Sequence, residues 1–77
     1  MTVNRVAVAK ANVEVAVKEA GADWTVEVQR KDGYTLTLQK GSRKFVRKGL
    51  DEGVLEDESS PIREYLIEEA RRELEGP

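Results

Sequence analysis

The sequence contains neither cysteine nor histidine. Without cysteine it has no disulfide framework, no thiolate nucleophile and no cysteine metal site. Without histidine it lacks the side chain that most often transfers protons near neutral pH, and the commonest nitrogen ligand of zinc and copper. The two absences count against an enzyme, against a metal site and against a cofactor bound through either side chain.

Long hydrophobic runs are also missing. No apolar stretch approaches the ~20 residues of a membrane-spanning helix, and the N-terminus lacks the basic start and apolar centre of a signal peptide. We therefore expect a cytoplasmic protein with no membrane partner. Scarce Asn, Gln and Met beside abundant Glu, Lys and Arg are typical of thermostable and of designed proteins. The length of 77 residues predicts one small domain.

Charge is distributed unevenly along the chain. Residues 29–48 carry seven Lys or Arg against one acid, a net charge of +6. Residues 49–77 carry ten acids against three Arg, a net charge of −7, whereas the whole chain has a net charge of −2. Local fields steer charged partners more than the total charge does. The basic segment is therefore the first candidate for a binding surface.

Residues 24–48 predict a three-stranded meander. Residues 24–30 and 34–40 alternate apolar and polar side chains, as half-buried strands do. A three-residue loop at 31–33, with Gly33 in the left-handed position, joins them, and a two-residue turn at 41–42 leads into the third strand.

The two turns also predict one shared apolar face. They pair Val28 with Leu36 and Leu38 with Phe45, and the hydrophobic pattern sets this register. The face would contain Trp24, Val26, Val28, Tyr34, Leu36, Leu38 and Phe45. The third strand then presents Lys44, Val46 and Lys48 on the opposite face.

Residues 61–75 predict a C-terminal helix that follows an acidic connector at 49–59. Ser60 is the expected N-cap, Pro61 suits the first helical position, and Gly76 suits the end of the helix. Apolar residues recur every four positions and predict the buried stripe of this helix. They are Ile62, Leu66, Ala70 and Leu74.

The N-terminal residues 2–19 allow two interpretations. Six valines favour a β-hairpin that turns at Ala11-Asn12, and this is the interpretation that we favour. The alternative is a helix over residues 3–20 ended by Gly21, which leaves Val8 and Val15 exposed and places Lys10 in the apolar stripe. The helical stripe would contain Val3, Val6, Ala9, Val13, Ala16, Val17 and Ala20.

The two interpretations lead to two α+β folds. With the hairpin, the chain is a five-stranded antiparallel meander packed by one C-terminal helix, and it resembles SH3-like barrels such as archaeal chromatin proteins and chromodomains. With the helix, the order becomes α-β-β-β-α, which is similar to double-stranded RNA-binding domains. Both resemblances are architectural, and the segment at Ser60, Pro61 and Glu64 departs from the basic cluster that the RNA-binding domains carry there. They imply no site residue.

No catalytic constellation is expected. The acid pairs at 51–52, 57–58 and 68–69 are sequence neighbours whose side chains point apart, whereas glycosidase chemistry needs two carboxyl groups that face each other across a cleft. Ser59 and Ser60 have no base to activate them. The acidic run at 51–58 lacks the ligand spacing of a calcium loop. We predict no enzyme activity, no catalytic residue, no metal and no cofactor.

The basic segment is the candidate site. Lys, Arg, Ser, Thr and Gln are the side chains that contact phosphates in nucleic-acid complexes. Exposed strands also carry Thr, Lys and Gln without any partner, and charged edges prevent aggregation. The predicted partner-binding residues are Arg30, Lys31, Lys40, Arg43, Lys44 and Lys48.

The functional prediction is a small non-enzymatic module that binds an anionic partner, either nucleic acid or an acidic protein surface. A small-molecule substrate is not expected, because so short a chain leaves little material for a deep site. The alternatives are a protein-interaction or regulatory module and a designed scaffold without chemistry of its own. The acidic helix could also fold over part of the basic sheet and neutralise it.

Overall fold

The computed structural model describes residues 4–76. Its elements are α1 (Arg5–Glu19), β1 (Thr25–Arg30), β2 (Tyr34–Lys40), β3 (Arg43–Leu50), α2 (Glu52–Glu56) and α3 (Ile62–Glu75). The three strands form one antiparallel sheet in the order β1-β2-β3. Among these residues, no helix has the length and apolar character needed to cross a bilayer.

The N-terminal segment is a helix, so the five-stranded SH3-like expectation is not confirmed and the α-β-β-β-α order fits. The side chain of Asn4 caps α1 by accepting a hydrogen bond from the backbone N–H of Ala7 at 3.2 Å. Ala9, Val13 and Val17 are buried at helical spacing. Packing of this stripe outweighs the strand preference of valine, which is itself mostly a matter of context.

The helical arrangement leaves some valines in solvent. Val8 is 39% exposed and Val15 is 54% exposed, as the helical interpretation requires. Lys10, which that interpretation placed in the apolar stripe, is exposed instead. Val3 of the predicted stripe, together with residue 2 of the predicted hairpin, lies outside the described residues.

The predicted meander and its register are confirmed. Val28 pairs with Leu36 across β1 and β2, and Leu38 pairs with Phe45 across β2 and β3. Both α1 and α3 pack on the sheet face that carries these residues, α1 chiefly on β1 and α3 chiefly on β3. The sheet therefore has one buried face and one face turned to solvent. The buried face consists of Val26, Val28, Tyr34, Leu36, Leu38 and Phe45, together with Trp24 just before β1.

The register changes near the end of β3. Leu36 lies opposite Arg47, but Tyr34 lies opposite Leu50, so β3 has one more residue than β2 over this stretch. Gly49 absorbs the extra residue with a φ of +67°. β3 continues through this bulge at residues 48–49 and ends two residues beyond the predicted end at 48.

The loop at 31–33 packs directly against this bulge. Asp32 and Gly33 both have positive φ, 53° and 93°. A Cβ on Gly33 would lie 3.1 Å from the carbonyl oxygen of Leu50 and 3.3 Å from the carbonyl carbon of Gly49. Glycine is therefore required at position 33 both by its φ and by this close approach.

The predicted connector contains the short helix α2. Val54 and Leu55 of α2 are buried in the core. The buried Arg63 donates hydrogen bonds to the carbonyl oxygen of Val54, 3.3 Å away, and to those of Asp57 and Glu58. Arg63 thereby ties the end of α2 and the following turn to α3.

The start of α3 differs from the prediction. The N-cap position is Pro61 rather than Ser60, and it has no side-chain cap hydrogen bond. Ile62, predicted to be buried, is 48% exposed, whereas its neighbour Arg63 is buried. The rest of the stripe, Leu66, Ala70 and Leu74, is buried as predicted. The first turn departs because the connector requires Arg63 to face inward.

Replacing Gly33 by alanine is expected to destabilise the fold more than replacing Gly41. Gly41 has a φ of +61° but open space around it. Gly41→Ala therefore destabilises the fold only because alanine must adopt the left-handed conformation, which costs about 1–2 kcal/mol. Gly33→Ala adds a clash with the β3 backbone and is expected to cost about 1 kcal/mol more. Urea unfolding of both variants measures the difference. Equal losses would contradict the role of the loop–bulge contact.

Candidate binding surface

The sheet face turned away from the helices is polar on all three strands, and we call it the outer face. The alternation predicted for β1 and β2 is observed, because their apolar residues are buried and the residues between them are partly or fully exposed. The outer face consists of Thr25, Glu27, Gln29, Thr35, Thr37, Gln39, Lys44, Val46 and Lys48. Lys31 lies exposed in the loop beside it.

The outer face has no aromatic side chain. Trp24, Tyr34 and Phe45 are all buried on the opposite face. The fourth aromatic residue, Tyr65, lies on α3 and is 67% exposed. Stacking of nucleic-acid bases on the sheet, as single-strand binding proteins use it, therefore has no partner on this surface.

Three of the six predicted binding residues are engaged within the molecule. Arg30 forms an ion pair with Glu52 of α2, and the Lys40 Nζ lies 3.8 Å from a carboxylate oxygen of Glu75. Arg43 donates to a carbonyl oxygen at the end of α3, 2.8 Å away. The acidic half thus neutralises part of the basic segment, as one of the alternatives predicted.

Arg47 is the clearest case of this internal neutralisation. It pairs with Leu36 on the helix-covered side of the sheet, two residues after the buried Phe45 and just before the bulge. Its Nη2 is 2.9 Å from a carboxylate oxygen of Glu69 and 3.0 Å from one of Glu73. The hydrogen bond to Glu69 is the main reason why the pKa of Arg47 is raised. Its guanidinium also lies 4.2 Å from the ring centre of Phe45.

The other three predicted residues keep free ammonium groups. Within residues 4–76, Lys31, Lys44 and Lys48 form no ion pair and donate no side-chain hydrogen bond. All three are exposed. The sheet and the 31–33 loop contain two acids, Asp32 and Glu27, and Glu27 accepts a long hydrogen bond from Gln29 at 3.5 Å.

Lys31 and Lys48 lie on the rim of one shallow depression. It has a volume of about 380 Å³ and opens where the 31–33 loop meets the β3 bulge. Its lining residues are Gln29, Lys31, Asp32, Thr35, Lys48 and Gly49. Lys44 lies outside this depression, further along β3.

A cluster of ion pairs holds the hairpin end beside the depression. Arg5 of α1 pairs with Glu52 at 2.7 Å and with Glu56 at 2.9 Å. Tyr34 donates its hydroxyl to Glu56 at 2.7 Å. The hydrogen bond from Tyr34 is the main reason why the pKa of Glu56 lies below its ordinary value of 4.5. The hydrogen bond from Arg5 lowers this pKa further. The cluster joins α1, α2 and the sheet.

The lowered pKa of Glu56 predicts a loss of stability in acid. A carboxylate whose pKa is lower in the folded state stabilises the fold above its ordinary pKa, and this contribution disappears as the pH falls through the folded value. Glu56→Gln should therefore be less stable than the wild type at pH 6. The difference in stability between the two proteins should narrow as the pH falls below 4.5.

Thermal unfolding of both proteins from pH 6 to acid measures this gap. Glu14→Gln is the matched control, since Glu14 is exposed on α1 and makes no ion pair within residues 4–76. A gap that stays constant with pH would show that the Glu56 carboxylate does not support the fold through its charge.

No protein-family model, curated protein or solved structure matches the chain. Among residues 4–76, no three acidic side chains come together in a group that could hold a metal ion.

Sequence reasoning identified the outer-face lysines but not the depression or the role of Arg47. The signal available for the bulge was Gly49, the only glycine close to the predicted end of the third strand. The internal ion pairs could not be found from the sequence, because they depend on how α2 and α3 return over the sheet.

Proposed function

We propose that the chain is a non-enzymatic module that binds an anionic partner through the outer face of its sheet, and that the favoured partner is the phosphate backbone of a nucleic acid. The observation that carries the proposal is the position of the free cations. Lys31, Lys44 and Lys48 lie on or beside one exposed face, and none of them is neutralised within residues 4–76.

The kind of cation on this face indicates the kind of contact. Most arginines of the chain are engaged internally, Arg30, Arg43 and Arg47 among them, whereas the outer face carries lysines. Lysine contacts phosphate as a point charge, while arginine is the side chain that most often reads guanine through two parallel hydrogen bonds. The proposed contact is therefore electrostatic and independent of base sequence.

The same composition makes an acidic protein the less favoured partner. Lysine is depleted in the cores of protein interfaces, where aromatic residues, methionine and arginine are enriched. The outer face carries no aromatic residue, and its one apolar side chain, Val46, is 39% exposed among polar neighbours. Threonine and glutamine beside the lysines are able to donate further hydrogen bonds to phosphate oxygens.

Binding to mixed-sequence DNA and RNA should fall steeply with salt. Three lysines that neutralise three phosphates give a slope of log K against log salt of about −2 for a single strand and about −2.7 for a duplex. Fluorescence anisotropy at several salt concentrations measures the slope. A slope of about −4 or steeper would mean that the internally paired cations also take part. Absence of binding at low salt would contradict the proposal.

A pair of charge-reversed variants tests the location of the contact. Lys44→Glu with Lys48→Glu should weaken nucleic-acid binding by at least about tenfold, because two phosphate contacts become repulsive. The matched control is Lys10→Glu with Lys18→Glu on the exposed side of α1, which changes the total charge equally. If both double variants lose the same affinity, the outer face is not the site. Circular dichroism verifies that each variant is folded.

A second candidate function is a protein-interaction module, and one observation favours it. Ile62 and Tyr65 lie one turn apart on α3 and are 48% and 67% exposed. Aromatic residues are enriched at protein interfaces, and Tyr65 has an exposed apolar neighbour in Ile62. The solution mass of the wild type over a range of concentrations tests self-association through this pair. A dimer that persists in the Ile62→Ser, Tyr65→Ser variant would contradict a role for it.

A further inference from the structure

We propose that the depression between the 31–33 loop and the β3 bulge is a seat for a single terminal phosphate group, with Lys31 and Lys48 as its cationic ligands. The inference deepens the proposed function and rests on it, because it assigns one end of the outer face to a particular phosphate. It separates the depression from the flat remainder of the face, where Lys44 lies.

The fold brings the two lysines together although Lys31 follows β1 and Lys48 lies on β3, which are not neighbouring strands. β1 and β3 flank β2, so residues on them are about 10 Å apart across the sheet. The loop after β1 and the bulge of β3 close this gap, since a Cβ added to Gly33 would lie only 3.1 Å from the Leu50 carbonyl oxygen. Lys31 and Lys48 then line one depression of about 380 Å³.

The lining of the depression also offers neutral hydrogen-bond donors. Gln29 contributes a side-chain amide and Thr35 a hydroxyl, and both line the depression with the two lysines. Each lysine ammonium carries three N–H donors and no acceptor. A phosphate group offers only acceptor oxygens and negative charge, so it matches this donor set.

The charges of the lining favour a phosphate of higher charge. Asp32 also lines the depression and opposes one of the two ammonium groups. No ion pair forms between Asp32 and either lysine. A terminal phosphate carries a charge of about −1.5 to −2 at neutral pH, while a backbone phosphodiester carries one negative charge. The lining has a net charge of +1 with Asp32 included, so its attraction grows with the charge of the anion and is greater for a terminal phosphate.

Titration of the full chain with inorganic pyrophosphate at constant ionic strength tests the seat. Backbone amide shifts in two-dimensional NMR should move and saturate at residues 31–33, 35 and 48–49. Lys48→Gln and Lys31→Gln should each weaken binding by about fivefold to tenfold, since each removes a charge-assisted contact. Lys44→Gln, about 13 Å away along β3, should leave the affinity unchanged, and Asp32→Asn should raise it.

Several outcomes would overturn the seat. One is a set of equal shifts near Lys10, Lys18 and Lys44, which would indicate general charge screening. Another is an equal loss of pyrophosphate affinity in Lys44→Gln and Lys48→Gln. Asp32→Asn and Lys44→Gln keep the test informative if Lys48→Gln disturbs the bulge, because neither alters it.

Two oligonucleotides distinguish the source of the phosphate. A short single strand with a 5′-phosphate should bind more tightly than the same strand with a 5′-hydroxyl, and Lys48→Gln should remove the difference. If the two strands bind equally and pyrophosphate shifts no amide signal in the depression, the proposal of a terminal-phosphate site is wrong, while the outer-face proposal stands. If pyrophosphate binds there but neither strand does, the phosphate is that of a small molecule and the nucleic-acid proposal fails.

Discussion

The whole arrangement depends on covering one apolar face of a three-stranded sheet. That face presents Trp24, Tyr34 and Phe45 together with aliphatic side chains, all of them buried. Burying such a side chain stabilises the fold by about 1.5–3 kcal/mol, so this cover dominates the energetics of so short a chain. Both long helices are used for it, α1 on β1 and α3 on β3. Nothing within residues 4–76 remains to cover the outer face.

The packing of the helices on the sheet also separates the paired arginines from the free lysines. Returning over the buried face, α2 and α3 bring their acids to the rim of the sheet, where Glu52, Glu69 and Glu73 meet arginines. Planar guanidinium groups form such paired contacts well. The lysines on the other side meet no such acid. The separation of charge along the sequence therefore becomes a separation between the rim of the fold and its outer face.

The sheet was predictable from the sequence because its signals are local. Alternation in β1 and β2, the glycine in the 31–33 loop and the short turn at 41–42 all act over a few residues, and they agree on one register. The first helix was harder, because the valines of residues 3–17 suit either a hairpin or an amphipathic helix. Only the position of Ala9, Val13 and Val17 against the sheet favours the helix. Ile62 is exposed against expectation for a similar reason, since Arg63 faces inward and ties the turn before α3.

The sequence by itself determined the meander, its apolar face and the lysines opposite that face, since alternation in β1 and β2 and the short turns together assign the sides of all three strands. Tertiary structure decided which of the basic residues stay free, because ion pairing depends on where distant acids return in space. It also decided that Lys31 and Lys48 share a depression, because a loop and a bulge on non-adjacent strands meet only when the sheet is assembled. A contact between residues 33 and 50 has no local signature, and the surface beside it is a property of the folded chain.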